Sequence, residues 1–161
     1  MPTQPLIDFD EIDLSEVVVP HEEYRKLLHQ RGRLELIDGV LHLDTEGDLV
    51  VGYKEIRADD WWASDHIPGR PIFPGCLILE GSAQLTTYHF MRKRPDIQGA
   101  FIGFSAIDKT RFRAPVEPTC RLVTVGRLAR MRSRMFTYEA QAFVDQKLVF
   151  SAMISGMVID N

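Results

Sequence analysis

A histidine and a glutamate stand fourteen residues apart in "HIPGRPIFPGCLILEGSAQ", residues 66–84. His66 is a side chain that can take a proton near neutral pH, and Glu80 one that can hold or deliver it. Between them Pro74-Gly75 opens a helix. The Gly75 N–H is therefore among the four amides with no partner inside that helix, and it points toward incoming negative charge or a carbonyl oxygen. Gln84 lies four residues beyond Glu80 and shares its helix face. Base, acid and backbone donor would together serve proton transfer beside a carbonyl. Each also has a plainer reading. Glu80 can be a structural acid bonded to Gln84 or to a strand backbone group, and a lone histidine can be an ordinary loop or core residue. The residue types alone leave both open.

The elements that must position these residues follow from periodicity. From Pro74-Gly75 to about Met91 the spacing predicts a helix apolar on nearly every face, which is a helix surrounded by protein. A carboxylate there must be paired, bonded or protonated, because burying it alone as a charge costs several kcal/mol. "HEEYRKLLHQR" predicts a short helix stopped near Gly32. "LELIDGVLHLDTEGDLVVGYKEI" alternates in two runs about Glu46-Gly47 and predicts a hairpin, with Asp38-Gly39 as the alternative turn. Strands are expected at about 98–108, 118–130, 134–144 and 147–158, the last two joined at Asp145-Gln146. One buried helix with five or six antiparallel strands gives an α+β fold, an antiparallel sheet wrapped around the helix. Residues 1–20 read as an acidic, loosely attached N-terminal arm, and residues 21–161 as a single domain.

Length and composition narrow the classes. The 161 residues are 45% hydrophobic and 26% charged, which suits one globular domain. The chain offers neither a basic leader nor a membrane-length apolar run, so a cytoplasmic, soluble protein is expected. Cys76 and Cys120 lack ligand spacing, so no metal site is expected. The net charge of −4 is uneven: residues 1–88 carry −10, residues 89–134 carry +8 and residues 135–161 carry −2. An acidic protein with one basic segment is a poor general nucleic-acid binder but can meet a compact acidic partner. A solvated strand face would leave the same pattern.

"HIPGRPIFPGCLILEGSAQL" resembles the active-site signature of the FabZ-type 3-hydroxyacyl-acyl carrier protein dehydratases of fatty-acid synthesis, enzymes of the hot-dog fold. The His-to-acid spacing and the Pro-Gly are kept. "GFSAIDKTRFRAPVEP" resembles that family's Ile-Asp-Lys and basic-Phe-basic segment, and "AFVDQKLVFSAMISG" its closing hairpin. The likeness covers roughly residues 27–158. Two departures stand out. Trp62-Ala63-Ser64-Asp65 replaces a Phe-Phe and Gly pattern before the histidine, and "LHQRGRLELIDGV" lacks the usual Tyr-Pro-Phe.

The resemblance implies that His66 removes the α-proton of a (3R)-3-hydroxyacyl thioester, that Glu80 supplies the proton of the leaving hydroxyl with Gln84 in support, and that the Gly75 N–H polarises the thioester carbonyl. It implies no cofactor. It also implies a homodimer, possible as a trimer of dimers, in which the histidine and the acid of one site come from different subunits. The acyl tunnel would involve Trp62, Phe73 and Cys76. Acyl carrier protein, a small acidic partner, would dock on some of three basic groups: Arg92, Lys93 and Arg94; Lys109, Arg111 and Arg113; Arg130, Arg132 and Arg134. An acyl thioesterase on the same fold, or an acyl-binding protein without activity, are the alternatives.

Overall fold

In the computed structural model, which describes residues 4–160, the elements run β1 (Val19–Pro20), α1 (His21–Tyr24), β2 (Gly39–Leu43), β3 (Leu49–Ile56), α2 (Gly75–Lys93), β4 (Phe101–Phe112), β5 (Cys120–Met131), β6 (Met135–Val144) and β7 (Lys147–Asp160). The strands form one antiparallel sheet in the order β1-β2-β3-β5-β6-β7-β4. Its concave face holds α2, the wrapped-helix arrangement of the hot-dog fold. Among the described residues no helix is long and apolar enough to cross a membrane.

Helix α2 is buried along most of its length, from Ile78 through Met91 apart from a few half-exposed positions. It lies close to the sheet because two strand residues beneath it have no side chain. A Cβ on Gly52 of β3 would come within 2.8 Å of Leu85 Cδ1, and one on Gly126 of β5 within 2.8 Å of Thr86 Cγ2. Such closeness demands that each polar group on the helix be bonded inside the protein. Ser82 Oγ donates to the Ile78 carbonyl at 2.8 Å and Thr86 Oγ1 to that of Ala83 at 3.1 Å.

His89 shows the same rule in a titratable group. Its Nε2 lies 2.8 Å from the Asp44 carbonyl, which can only accept, so Nε2 carries the hydrogen. Nδ1 then accepts from the Tyr138 hydroxyl at 2.7 Å. This is the pattern of a neutral imidazole, and burial pushes its pKa below the ordinary value.

The sheet is apolar on both faces, as Val50 and Val51 of β3 show, each fully buried on opposite sides. Val50 meets Leu85 of α2, whereas Val51 joins Leu41, Val125 and Phe143 on the outer face. The N-terminal segment covers that outer face. Leu6 and Ile7 are buried in it, Phe9 stands edge-on to Phe143 at 5.1 Å, and the Leu6 N–H donates to Gln141 Oε1 at 2.8 Å. The segment expected to hang loosely is thus docked from Gln4 on, because the outer strand residues need a cover. Residues 1–3 of the arm lie outside the described residues.

Of three other expectations, two change in detail and one holds. "HEEYRKLLHQR" forms only one α-turn and a 3-10 turn over Arg25–Leu27, since Leu28 is already extended at φ −109° and ψ 153°. The hairpin turns at Glu46-Gly47, where Asp44 Oδ1 accepts from the Gly47 N–H at 2.7 Å. The strand expected at 98–108 runs Phe101–Phe112, along the outer edge of the sheet.

The depressed pKa of His89 sets a pH dependence. Below the ordinary value of 6.5 the unfolded chain takes up a proton that the folded chain refuses, so stability falls as the pH drops through that value toward the lowered one. Urea unfolding between about pH 7.5 and pH 5.5 should show a larger loss in the parent than in His89→Gln. Equal losses would mean that folded His89 protonates freely.

Candidate active site

The loop that carries His66 is held at several points. The His66 N–H donates to the Trp62 carbonyl at 2.8 Å, and the Phe73 N–H to that of Val116 at 2.8 Å. Ile67 and Gly69, at φ 57° and 86°, fold the loop back on itself. The ring is fixed as well. His66 Nδ1 lies 2.7 Å from the Ile72 carbonyl, an acceptor only, so Nδ1 donates and Nε2 keeps a free lone pair. A proton acceptor is thereby set in one orientation.

His66, Phe73, Gly75, Cys76, Thr110, Phe112 and Arg113 line one open depression of about 740 Å³. Gly75 fits closely there, since a Cβ would come within 2.7 Å of the Phe112 ring and push it aside. With no Cβ in the way, the helix start stays open beside the histidine. Thr110 and Phe112 reach this wall after a bulge in β4, where the ladder to β7 shifts between Asp108 and Arg111 and Lys109 takes φ 51°.

Glu80 lines a different cavity, of about 180 Å³, together with His29, Gln30, Gln84 and the Phe101–Phe104 half of β4. Gln84 Nε2 donates to Glu80 Oε1 at 2.9 Å and Gln30 Nε2 donates to the same oxygen at 3.4 Å. Both donors fall on Oε1, with no bond to Oε2 among the described residues. Gln84 is itself fully used: Nε2 also donates to the Leu34 carbonyl at 2.8 Å, and Oε1 accepts from the Leu36 N–H at 3.1 Å. So the plain expectation that Gln84 bonds Glu80 holds, yet it leaves one carboxylate oxygen available.

One chain therefore brings His66 and Gly75 together but sends Glu80 to a separate cavity. Of the tunnel candidates, Phe73 and Cys76 lie on the His66 wall. Trp62 stands behind it, 1% exposed and edge-on to Phe73 at 5.2 Å, because the larger indole fills the core between β3 and the loop. The three basic groups part company too. Arg92 donates to the Tyr88 hydroxyl, Lys93 to the carbonyls of Thr45 and Gly47, and Arg94 to Asp96, so that group is engaged within the fold. Arg130, Arg132 and Arg134 sit about the β5–β6 turn, where Arg134 reaches the Val158 carbonyl. Lys109, Arg111 and Arg113 are exposed, and only this group borders the His66 depression. Sequence reasoning missed Gln30, Thr110 and Phe112. The last two lie in the "TRFRAPVEP" stretch, which marked them out; Gln30 carried no signal, since its role depends on how the loop after Leu28 turns.

A profile of the FabA-like domain family matches residues 28–153. A 3-hydroxyacyl-acyl-carrier-protein dehydratase FabZ of Campylobacter jejuni is 35% identical over 141 residues, which span 86% of this chain and 96% of that protein. Its counterpart from Sulfurovum is 32% identical over 143 residues, at 86% and 95% coverage. Among solved structures, the dehydratase heterocomplex ApeI:P from Xenorhabdus doucetiae superposes with a TM-score of 0.73 at 12% identity, covering 89% of this chain and 93% of that one. The PaaI protein of Escherichia coli gives 0.55 at 13% identity, with 70% and 74% covered. At these identities the structural neighbours establish the shared fold.

Replacing Gln84 tests its double duty. Gln84→Leu keeps the size but strips the Leu36 N–H of its partner, and should lower unfolding stability by roughly 1–3 kcal/mol in urea titrations. A loss within error would show that water reaches the Leu34–Leu36 backbone.

Proposed function

The chain belongs to the FabA-like family, and from that premise we propose that it dehydrates (3R)-3-hydroxyacyl thioesters of acyl carrier protein to trans-2-enoyl thioesters, at sites completed by two copies of the chain. His66 Nε2 takes the α-proton, and the electron pair of the broken C–H bond moves toward the thioester carbonyl. Charge builds on that oxygen, where the Gly75 N–H at the start of α2 meets it. Glu80 delivers a proton from Oε2 to the 3-hydroxyl, the C–O bond breaks, and water leaves as the double bond forms. A proton exchange between His66 and Glu80, direct or through solvent, restores both groups. His66, Glu80, Gly75 and Gln84 can do this without a cofactor.

The observation that carries this reading is how the two cavities divide along β4. Glu80's cavity takes the Phe101–Phe104 half of the strand, and His66's depression takes Thr110 and Phe112 at the other end. β4 is the outer strand of the sheet, and it exposes Phe101 at 52%, Phe104 at 47%, Ile107 at 41% and Phe112 at 57%. A long apolar edge of this kind calls for a cover. A second copy pairing antiparallel about the midpoint of β4 would set Phe101–Phe104 of one chain against Lys109–Phe112 of the other. His66 of one copy then joins Glu80 of its partner, twice per dimer. Such a pairing also explains why a family member can keep both residues while one chain holds them apart.

Acyl carrier protein would approach over Lys109, Arg111 and Arg113, the basic group that borders the depression and is least engaged within the fold.

Purified protein given 3-hydroxyacyl carrier-protein thioesters should form enoyl product without free thiol. Thiol release would replace the dehydratase reading with the thioesterase one. His66→Ala and Glu80→Gln should each abolish turnover. Refolded together in equal amounts, the two variants should regain about a quarter of parental activity, because half of the dimers then hold one intact site. No recovery from verified mixed dimers would place the pair within one chain. Arg113→Glu should raise KM about tenfold for the carrier-linked substrate and much less for a pantetheine thioester, with the gap closing at high salt. Equal effects on both substrates would remove Arg113 from docking.

A further inference from the structure

Behind Glu80 lies a cavity of about 10 Å³, walled by His21, Tyr24, Arg25, Leu28, Gln30, Glu35 and Gln84. That is the room one water molecule occupies. Tyr24 is 2% exposed, its ring packed on Tyr88 at 4.7 Å, and its hydroxyl meets no hydrogen-bond partner among the described residues. A buried hydroxyl left dry is costly, which makes this side of the cavity a strong place for a water.

The other polar groups on the wall are largely spoken for. Arg25 Nε donates to Glu35 Oε1 at 2.6 Å, and Glu35 Oε2 accepts from the Gly32 N–H at 3.0 Å. His21 Nδ1 donates to the Ile37 carbonyl at 3.0 Å, and the Gln84 amide makes the three bonds described above. Gln30 differs. Its side chain makes one hydrogen bond among the described residues, the 3.4 Å contact from Nε2 to Glu80, and its backbone carbonyl accepts from Arg31, which leaves the side-chain oxygen Oε1 for the cavity. An unclaimed donor on Tyr24 and an unclaimed acceptor on Gln30 share a space of one water.

We infer that Tyr24 is a positioning residue: its hydroxyl holds a single buried water that bonds the Gln30 side-chain oxygen Oε1 and so keeps the Gln30 side-chain nitrogen turned toward Glu80. The inference rests on the reading of Glu80 as the acid. With Gln84 and Gln30 both donating to Oε1, the transferable proton belongs on Oε2, the oxygen without a described partner. Without the water, the Gln30 amide can turn its oxygen toward the carboxylate and withdraw a donor. The charged and titratable neighbours are His21, Arg25 and Glu35 on the wall, Tyr88 behind the Tyr24 ring, and His29 across the Glu80 cavity.

Tyr24→Phe is the test, with carrier-linked substrate and the full chain. It should lower kcat roughly three- to tenfold with KM nearly unchanged. It should also lower the thermal midpoint, since a water-bonded hydroxyl is lost. A hydroxyl buried dry would behave oppositely, and an unchanged or raised midpoint with parental kcat overturns the inference. Gln30→Ala should share the kcat defect, and the double variant should be no worse than Gln30→Ala alone; additive losses would show that the two act separately. Glu80→Gln run alongside separates the two claims. If it is inactive while Tyr24→Phe behaves as the parent, only the Tyr24 inference fails. If it is active, the assignment of Glu80 fails first.

Discussion

The close seating of α2 in the concave sheet is the constraint from which most of this structure follows. Glycines at 52 and 126 let the helix approach, and the approach removes water from nearly every side of it. Polar groups on such a helix survive only with partners. Ser82 and Thr86 turn back on their own helix, His89 bridges to Tyr138 and the Asp44 carbonyl, and Gln84 ties the helix to the Leu34–Leu36 backbone. Glu80 differs: the half-buried side chain lines a cavity, with two donors on Oε1 and no bond to Oε2 among the described residues. A carboxylate placed this way can act on a molecule that enters the cavity.

The same constraint reaches the outer face of the sheet. Strands that pack α2 on one side through Val50 and Val40 carry Val51, Leu41 and Val125 on the other. Those side chains need cover as much as the inner ones, and Leu6, Ile7 and Phe9 provide it. Acidic residues between these anchors keep the segment's remaining surface in water. The β4 edge is left apolar and open, and it runs between the Glu80 cavity and the His66 depression.

Much of this was legible in the residues. The all-round apolar pattern gave α2 to within two residues at its end, the Glu46-Gly47 turn gave the hairpin, and the spacing from His66 through Gly75 to Glu80 singled out the candidate groups. What periodicity hid was contact at long range. The docking of the arm depends on Gln141 and Phe143, more than 130 residues away in sequence, and no local pattern in residues 4–14 announces it. "HEEYRKLLHQR" has helical spacing, yet the chain leaves the helix at Leu28, and the departing loop is what brings Gln30 within reach of Glu80. The resemblance implies Trp62 as a tunnel residue, but in this chain it fills core space behind Phe73.

Sequence closeness does not by itself show that one chain holds His66 and Glu80 apart, although the resemblance implies it. Fourteen residues separate His66 from Glu80, and rigid prolines lie between them, so a shared pocket is the natural expectation from the chain alone. Helix geometry works against it. Gly75 sits at the helix start beside His66, whereas Glu80 is more than a turn further on, and its side chain leaves α2 toward the Leu28–Gln30 loop and the first half of β4. Bending the His66 loop over that distance would cost it the Ile72 and Val116 carbonyl bonds that fix the ring and the helix start. In the proposed dimer a second chain would avoid the conflict: it would supply the missing group across a strand edge that is already apolar, and each chain would keep its own half of the site rigid.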